Sequence, residues 1–163
     1  MPITPLNHMD VFSLSNALSS SSIIFKKNRI SVAFDESFRC LEDWLFWMTN
    51  PGIFENLVII PNIQSAFIHI HGENMTSDYR TMGIYRQKAV ELVTAVYGAT
   101  LTMKQTNNLH IQAAIGTVFQ GKYPSVRTFF RFPCNVRLLV KLLIYTVLTV
   151  LKKDPARISI YRK

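Results

Sequence analysis

Hydrophobic residues recur along the chain with two different periods. Ile30, Val32 and Phe34 alternate with Arg29, Ser31 and Ala33, the pattern of a half-buried strand within 23–34. Asp35, Glu36 and Ser37 follow as helix-capping and negatively charged residues. They introduce a predicted helix, FRCLEDWLFWMTN, that Asn50-Pro51-Gly52 stops. Phe38, Leu41, Leu45 and Met48 form its core stripe. Trp44, Phe46 and Trp47 overfill that stripe, so apolar side chains surround most of the helix. Because a large exposed apolar surface marks association, these three are candidate self-association residues.

Short apolar runs at 57–60 and 66–70, joined through Pro61-Asn62, predict a hairpin. The polar stretch 72–83 reads as a surface loop. The β-rich runs 90–97 and 99–104 predict strands about Gly98, although 85–92 also fits the start of a helix. Thr106-Asn107-Asn108 reads as a turn or cap, and 109–119 fits either a helix or a strand. Near the end, Arg137 and Lys141 lie four apart in VRLLVKLL. That spacing predicts a short amphipathic helix with both cations on one face. The β-branched composition of 144–150 predicts a strand, then a turn at 152–155 and a returning strand at 158–161.

These elements predict an α+β fold: a single domain in which a twisted, mostly antiparallel sheet packs with a few helices. Residues 1–22 are Ser-rich and aperiodic, and are expected to form a mobile arm, with room for a short ordered piece at 11–18, ahead of a globular domain at 23–163. With 163 residues and 48% hydrophobic composition, the chain has material for a substantial core. No apolar run reaches the roughly 20 residues of a membrane span, because Arg137 and Lys141 interrupt the longest candidate. A secretory leader is not expected from the N-terminal composition, so the Asn74-Met75-Thr76 sequon carries no weight.

Charge changes the picture more than composition does. The net charge is +8, yet residues 1–81 sum to −3 and residues 82–163 to +11. The C-terminal half is therefore a candidate anion-binding surface: Arg137, Lys141, Lys152, Lys153, Arg157, Arg162 and Lys163. The stretch GKYPSVRTFFRFP at 121–133 interleaves cations with aromatics, a combination suited to stacked bases or to a lipid headgroup layer. Prolines at 124 and 133 leave 126–132 as a short piece at most. Alternation puts Phe130 and Phe132 against the core, with Arg127, Phe129 and Arg131 facing a partner. Lys122, Arg127, Phe129 and Arg131 are thus the expected docking residues.

Catalytic chemistry finds no support. His69 and His71 share a strand face without a third metal ligand in phase. Cys40 and Cys134 read as two free thiols. No nucleophile elbow, phosphate loop or dinucleotide fingerprint occurs, and Glu42 and Asp43, adjacent on a helix, read as a solvated face. No enzyme activity, cofactor or metal is expected.

Three stretches resemble the globular domain of rhabdovirus matrix proteins, particularly the compact plant-infecting cytorhabdovirus type. SVAFDESFRCLED at 31–43 is similar to the family's first strand and helix. YGATLTMKQTNNLHIQAAI at 97–115 resembles a strand, polar turn and Ala-Ala segment. VRLLVKLLIYTVLTVLKKDPARISI resembles the last helix and β-hairpin. The resemblance implies a structural viral matrix protein that self-assembles between nucleocapsid and envelope, beneath the membrane of the virion and on host membranes and in host cytoplasm. Its implied partners are its own copies, the nucleoprotein–RNA complex, an anionic membrane surface and the viral glycoprotein. The Ser-rich N-terminus departs from the Lys-rich, budding-motif-bearing arm of the animal members. The composition alone also fits a monomeric basic RNA-binding domain, such as a silencing suppressor or a ribosome-associated factor.

Overall fold

A computed structural model describes residues 3–58, 60, 78–130 and 133–151. The expected sheet is absent: among the described residues the protein is helical, with no strand. Five α-helices appear in order: α1 His8–Phe12, α2 Glu42–Thr49, α3 Tyr79–Tyr97, α4 Met103–Phe119 and α5 Val136–Val150. Short 3-10 turns occur at Ser20–Ser22, Lys27–Arg29, Pro51–Phe54 and Val126–Phe130. The hairpin expected across 57–70 and the turn and strand expected beyond 151 fall largely or wholly outside the described residues.

The frame is the α3–α4 pair. Their facing residues run in opposite order, with Gly83 against Gly116 and Arg86 against Gln112, so the helices are antiparallel. A Cβ at Gly83 would lie 2.5 Å from the Gly116 carbonyl oxygen, which places the two backbones in close approach. Around that crossing Gln87 Nε2 donates to Thr117 Oγ1 at 2.7 Å and Gln120 Nε2 to Gln87 Oε1 at 2.7 Å. Arg86 also donates to Gln112. Both helices are capped by sequence-encoded groups. Asp78 accepts from Thr81 N at 3.0 Å, while Thr102 and Gln105 form a reciprocal capping box.

The β-branched residues that predict strands at 90–97 instead serve one helical face. Ala89, Val90 and Val93 are buried, and the packing they gain outweighs a propensity difference of only a few tenths of a kcal/mol per residue. The same reason corrects 144–150, which continues α5. There the hydroxyls of Thr146 and Thr149 donate back to the carbonyls of Leu142 and Tyr145, at 2.8 and 2.9 Å. Asn107 and Asn108, read as a turn, are buried within α4.

Two apolar clusters share α4. The first gathers Phe12, Phe38, Trp44, Phe46, Trp47, Phe54, Val90, Val93 and Leu109. The second joins Ile111, Ile115 and Val118 of α4 to Leu138, Leu142, Tyr145 and Leu148 of α5. The N-terminal segment is part of this architecture rather than a mobile arm. Phe12 is fully buried, and its carbonyl accepts from Trp44 Nε1 at 2.8 Å. Asp10 accepts from Gln105, and Ser13 from Asn108.

Residues 23–34 form no strand. They wrap the molecule in extended and 3-10 conformation, held by Asn50. Asn50 Oδ1 accepts from the amides of Ser31 and Val32, and Nδ2 donates to the carbonyls of Val32 and Phe46. The helix expected at 38–50 starts later, at Glu42, after Leu41 in the left-handed region with φ 62°. Asp35 does not cap it. Asp35 closes a local turn on Ser37, whose amide and hydroxyl hold the carboxyl below its ordinary pKa.

Candidate docking surface

Trp44, Phe46 and Trp47 are not available to a partner. All three are buried in the first cluster, and their burial removes the exposed surface on which the expected intersubunit contact rested. The physical reason is that α2, only eight residues long, is enclosed on several sides. Phe12 lies against Trp44, Phe25 and Phe34 pack on Phe46, and Phe54 packs on Trp47. A helix with this many covering segments needs apolar residues around most of its circumference.

The basic-aromatic stretch 121–130 is exposed, and the short piece within it takes a form other than the expected alternation. Gly121 turns the chain out of α4 with φ 75°, a conformation that favours glycine. A 3-10 turn then spans Val126–Phe130. In that turn Phe129 packs onto the second cluster while Phe130 is 74% exposed, the reverse of the expected alternation. Phe129, expected to face a partner, is therefore a packing residue, and Phe130, expected against the core, points outward. Tyr123 and Val126 are also exposed, as are Lys122 and Arg127. Arg131 and Phe132 lie outside the described residues.

α5 is set beside this turn by buried amides of α4. Asn107 Nδ2 donates to the Pro133 carbonyl at 3.0 Å, and Asn108 Oδ1 accepts from Asn135 N at 2.9 Å. Asn135 then caps α5 by accepting from Arg137 N at 3.0 Å. From that start, Leu138, Leu142, Tyr145 and Leu148 face α4 and are buried. Val136, Val140, Leu143, Val147 and Val150 are exposed. Their spacings of four, three, four and three residues set them in one stripe, opposite the buried face.

Arg137 and Lys141 share one side of α5, as their spacing predicts. They lie along one flank of the stripe; Arg137 is exposed, and the Lys141 ammonium sits 5.7 Å from the Tyr145 ring centroid. Leu143, within the stripe, is 52% exposed. The signal for this stripe was present in the sequence, but it crosses the boundary at 143–144 where composition changes from helix-like to strand-like. Lys152, Lys153, Arg157, Arg162 and Lys163 lie outside the described residues, as do His69 and His71.

Elsewhere the chemistry is sparse. Burial, with further effect from the charges of Glu42 and Asp78, pushes the Cys40 thiol up to about 11. Burial also raises Cys134, and both cysteines are free. Among the described residues no group of three or more His, Cys, Asp or Glu is placed to hold a metal ion. A cleft lined by Ile24, Phe25, Val58 and Ile60 carries the Arg29–Glu55 ion pair on its wall. No helix among the described residues is long and apolar enough to cross a membrane. No protein-family model, curated protein or solved structure matches the chain.

Proposed function

We propose that this chain is a non-enzymatic docking protein whose C-terminal half binds an extended anionic surface. The carrying observation is that 92–153 contains eight Lys or Arg and no Asp or Glu. Within it Lys104, Lys122, Arg127 and Arg137 are exposed, and the one ion pair among the described residues, Arg29–Glu55, lies elsewhere. Such a segment attracts polyanions over a Debye length, with no carboxylate of its own to offset its charge.

A viral matrix role, holding a ribonucleoprotein against the inner face of an envelope, is the concrete form of this reading that the local sequence matches support. The strands that the resemblance implies do not occur among the described residues, so the likeness rests on local sequence. RNA binding by a monomer is the second reading. It is favoured by the exposed rings of Tyr123 and Phe130 beside Lys122 and Arg127, which suit stacking on single-stranded bases.

Co-sedimentation of the purified protein with acidic vesicles, neutral vesicles and single-stranded RNA across a salt series tests the proposal. Binding to at least one polyanion should fall steeply with salt, as condensed or screening counterions replace the protein. Salt-independent binding, or no binding to any polyanion, would remove the electrostatic reading.

A further inference from the structure

We infer that α5 is an interfacial helix: its exposed aliphatic stripe enters the acyl boundary of an anionic lipid bilayer. The inference rests on the anion-docking reading above and specifies its partner. Three properties of the stripe select lipid. First, it is continuous along the helix, from Val136 through Val140, Leu143 and Val147 to Val150, while the opposite face is fully engaged with α4. The 15 residues of α5 extend about 22 Å, so the helix lies along a surface and is too short to span the roughly 30 Å hydrocarbon core.

Second, its chemistry is aliphatic. Valine and leucine offer no ring to a nucleobase, whereas an acyl layer accepts any methyl-rich face. Third, the charges around it complement phosphate. Arg137 and Lys141 flank the stripe, Lys122 and Arg127 lie on the adjoining segment, and no acid occurs from Leu92 to Lys153. A second copy seated on α5 would bring two cationic segments together, with no acid between residues 92 and 153 of either to offset their repulsion. An anionic headgroup layer supplies that offset while the valines leave water.

The exposed Phe130 and Val126 stand on the turn that precedes α5. They form the second apolar contact of the same docked surface, with Arg127 between them in sequence to meet the headgroups. The bound molecule thus rests on the α5 stripe and this turn.

The test uses the full chain with vesicles of phosphatidylcholine alone and of phosphatidylcholine mixed with phosphatidylserine. Val140→Ser/Leu143→Ser keeps every charge, and circular dichroism should show it folded because both residues are exposed; Val147→Ser serves as an independent variant. The double variant should lose at least about tenfold in partition onto the mixed vesicles, and Val147→Ser should lose less. Leu143→Trp should gain emission that brominated acyl chains quench, over the unquenched background of buried Trp44 and Trp47.

Folded variants that bind mixed vesicles as the wild type does, with no quenching of Trp at 143, would overturn insertion while leaving the electrostatic reading intact. Equal, salt-independent binding to both vesicle types would instead overturn the anionic reading. Loss of a wild-type dimer in Leu143→Ser, measured by sedimentation equilibrium without any vesicle binding by the wild type, would assign the stripe to a second copy and overturn the proposal.

Discussion

Replacing Gly83 or Gly116 with alanine adds one methyl group where α3 and α4 touch. At Gly83 it would stand 2.5 Å from the Gly116 carbonyl oxygen and 2.9 Å from Phe119 Cβ; at Gly116 it would stand 2.7 Å from the Gly83 carbonyl oxygen. The nearest atom in each case is backbone and cannot swing aside. An ordinary carbon contact of about 3.5 Å is restored only if the axes part by about 1 Å, a gap that forfeits a quarter to a half of each dispersion well along the seam. Overpacking of this kind costs about 1–3 kcal/mol.

The same separation stretches the bonds that cross the seam, Gln87 to Thr117 and Gln120 to Gln87. Losing the equivalent of one adds about 1 kcal/mol. Alanine's better helix propensity returns about 1 kcal/mol, so each single variant is expected to lose about 2 kcal/mol net. For a domain of this size that is a fall of about 4–8 °C in Tm. The double variant should lose less than the sum, because the second methyl enters space the first has already opened. Urea denaturation followed by circular dichroism measures all three. A single variant as stable as the wild type, or more stable, would show that the two backbones do not meet at these glycines.

Asn50→Ala should cost about 3 kcal/mol in the same assay, because it removes four hydrogen bonds, two to the amides of Ser31 and Val32 and two to the carbonyls of Val32 and Phe46; faster amide exchange at Ser31 and Val32 locates the loss. At pH 8, Cys40 should react with a thiol reagent at least about tenfold more slowly in the folded protein than in the unfolded chain, because its pKa of about 11 leaves little thiolate and its side chain is buried; equal rates would contradict this. The hydrogen bonds from Thr81 to Asp78 hold that carboxyl below its ordinary 3.8, so its contribution should be full above that value and fade as pH falls through the lower folded-state pKa. Asp78→Ala should therefore narrow its stability gap to the wild type in acid, and a gap that widens would refute the sign.

Parts of this architecture can be read directly from the chain. Asn50-Pro51 does end α2, Phe38, Leu45 and Met48 are in the core, and a helix does begin at Val136. What misled was treating β-branching as decisive. Val90, Val93, Val96, Val147 and Val150 all sit in helices, and only the antiparallel pairing with α4, or its partnership with α5, reveals why. The buried amides of α4 misled in the opposite sense, since Asn107 and Asn108 look like turn formers until their distant partners are known. For the docking surface, the cations and aromatics of 121–130 announce themselves. Which of Phe129 and Phe130 points out depends on a 3-10 turn, in which the expected alternation does not hold.

The bonds between α4 and the N-terminal segment constrain the order in which the protein can be made. Asp10 and Ser13 await Gln105 and Asn108, 95 residues later, and the Leu14 carbonyl awaits Gln112, 98 residues later. At about 5–20 residues per second, a ribosome takes roughly 5–20 s to supply them. Met9 and Phe12 meanwhile have the rest of the first cluster, Phe54 among it, but lack the α4 residue Leu109, which makes the nascent chain before residue 103 the stage most exposed to chaperones and proteases. α5 comes last, after the Asn108 that fixes its lead-in has emerged. The face that seeks a bilayer thus leaves the ribosome when the helix that must carry it is already complete.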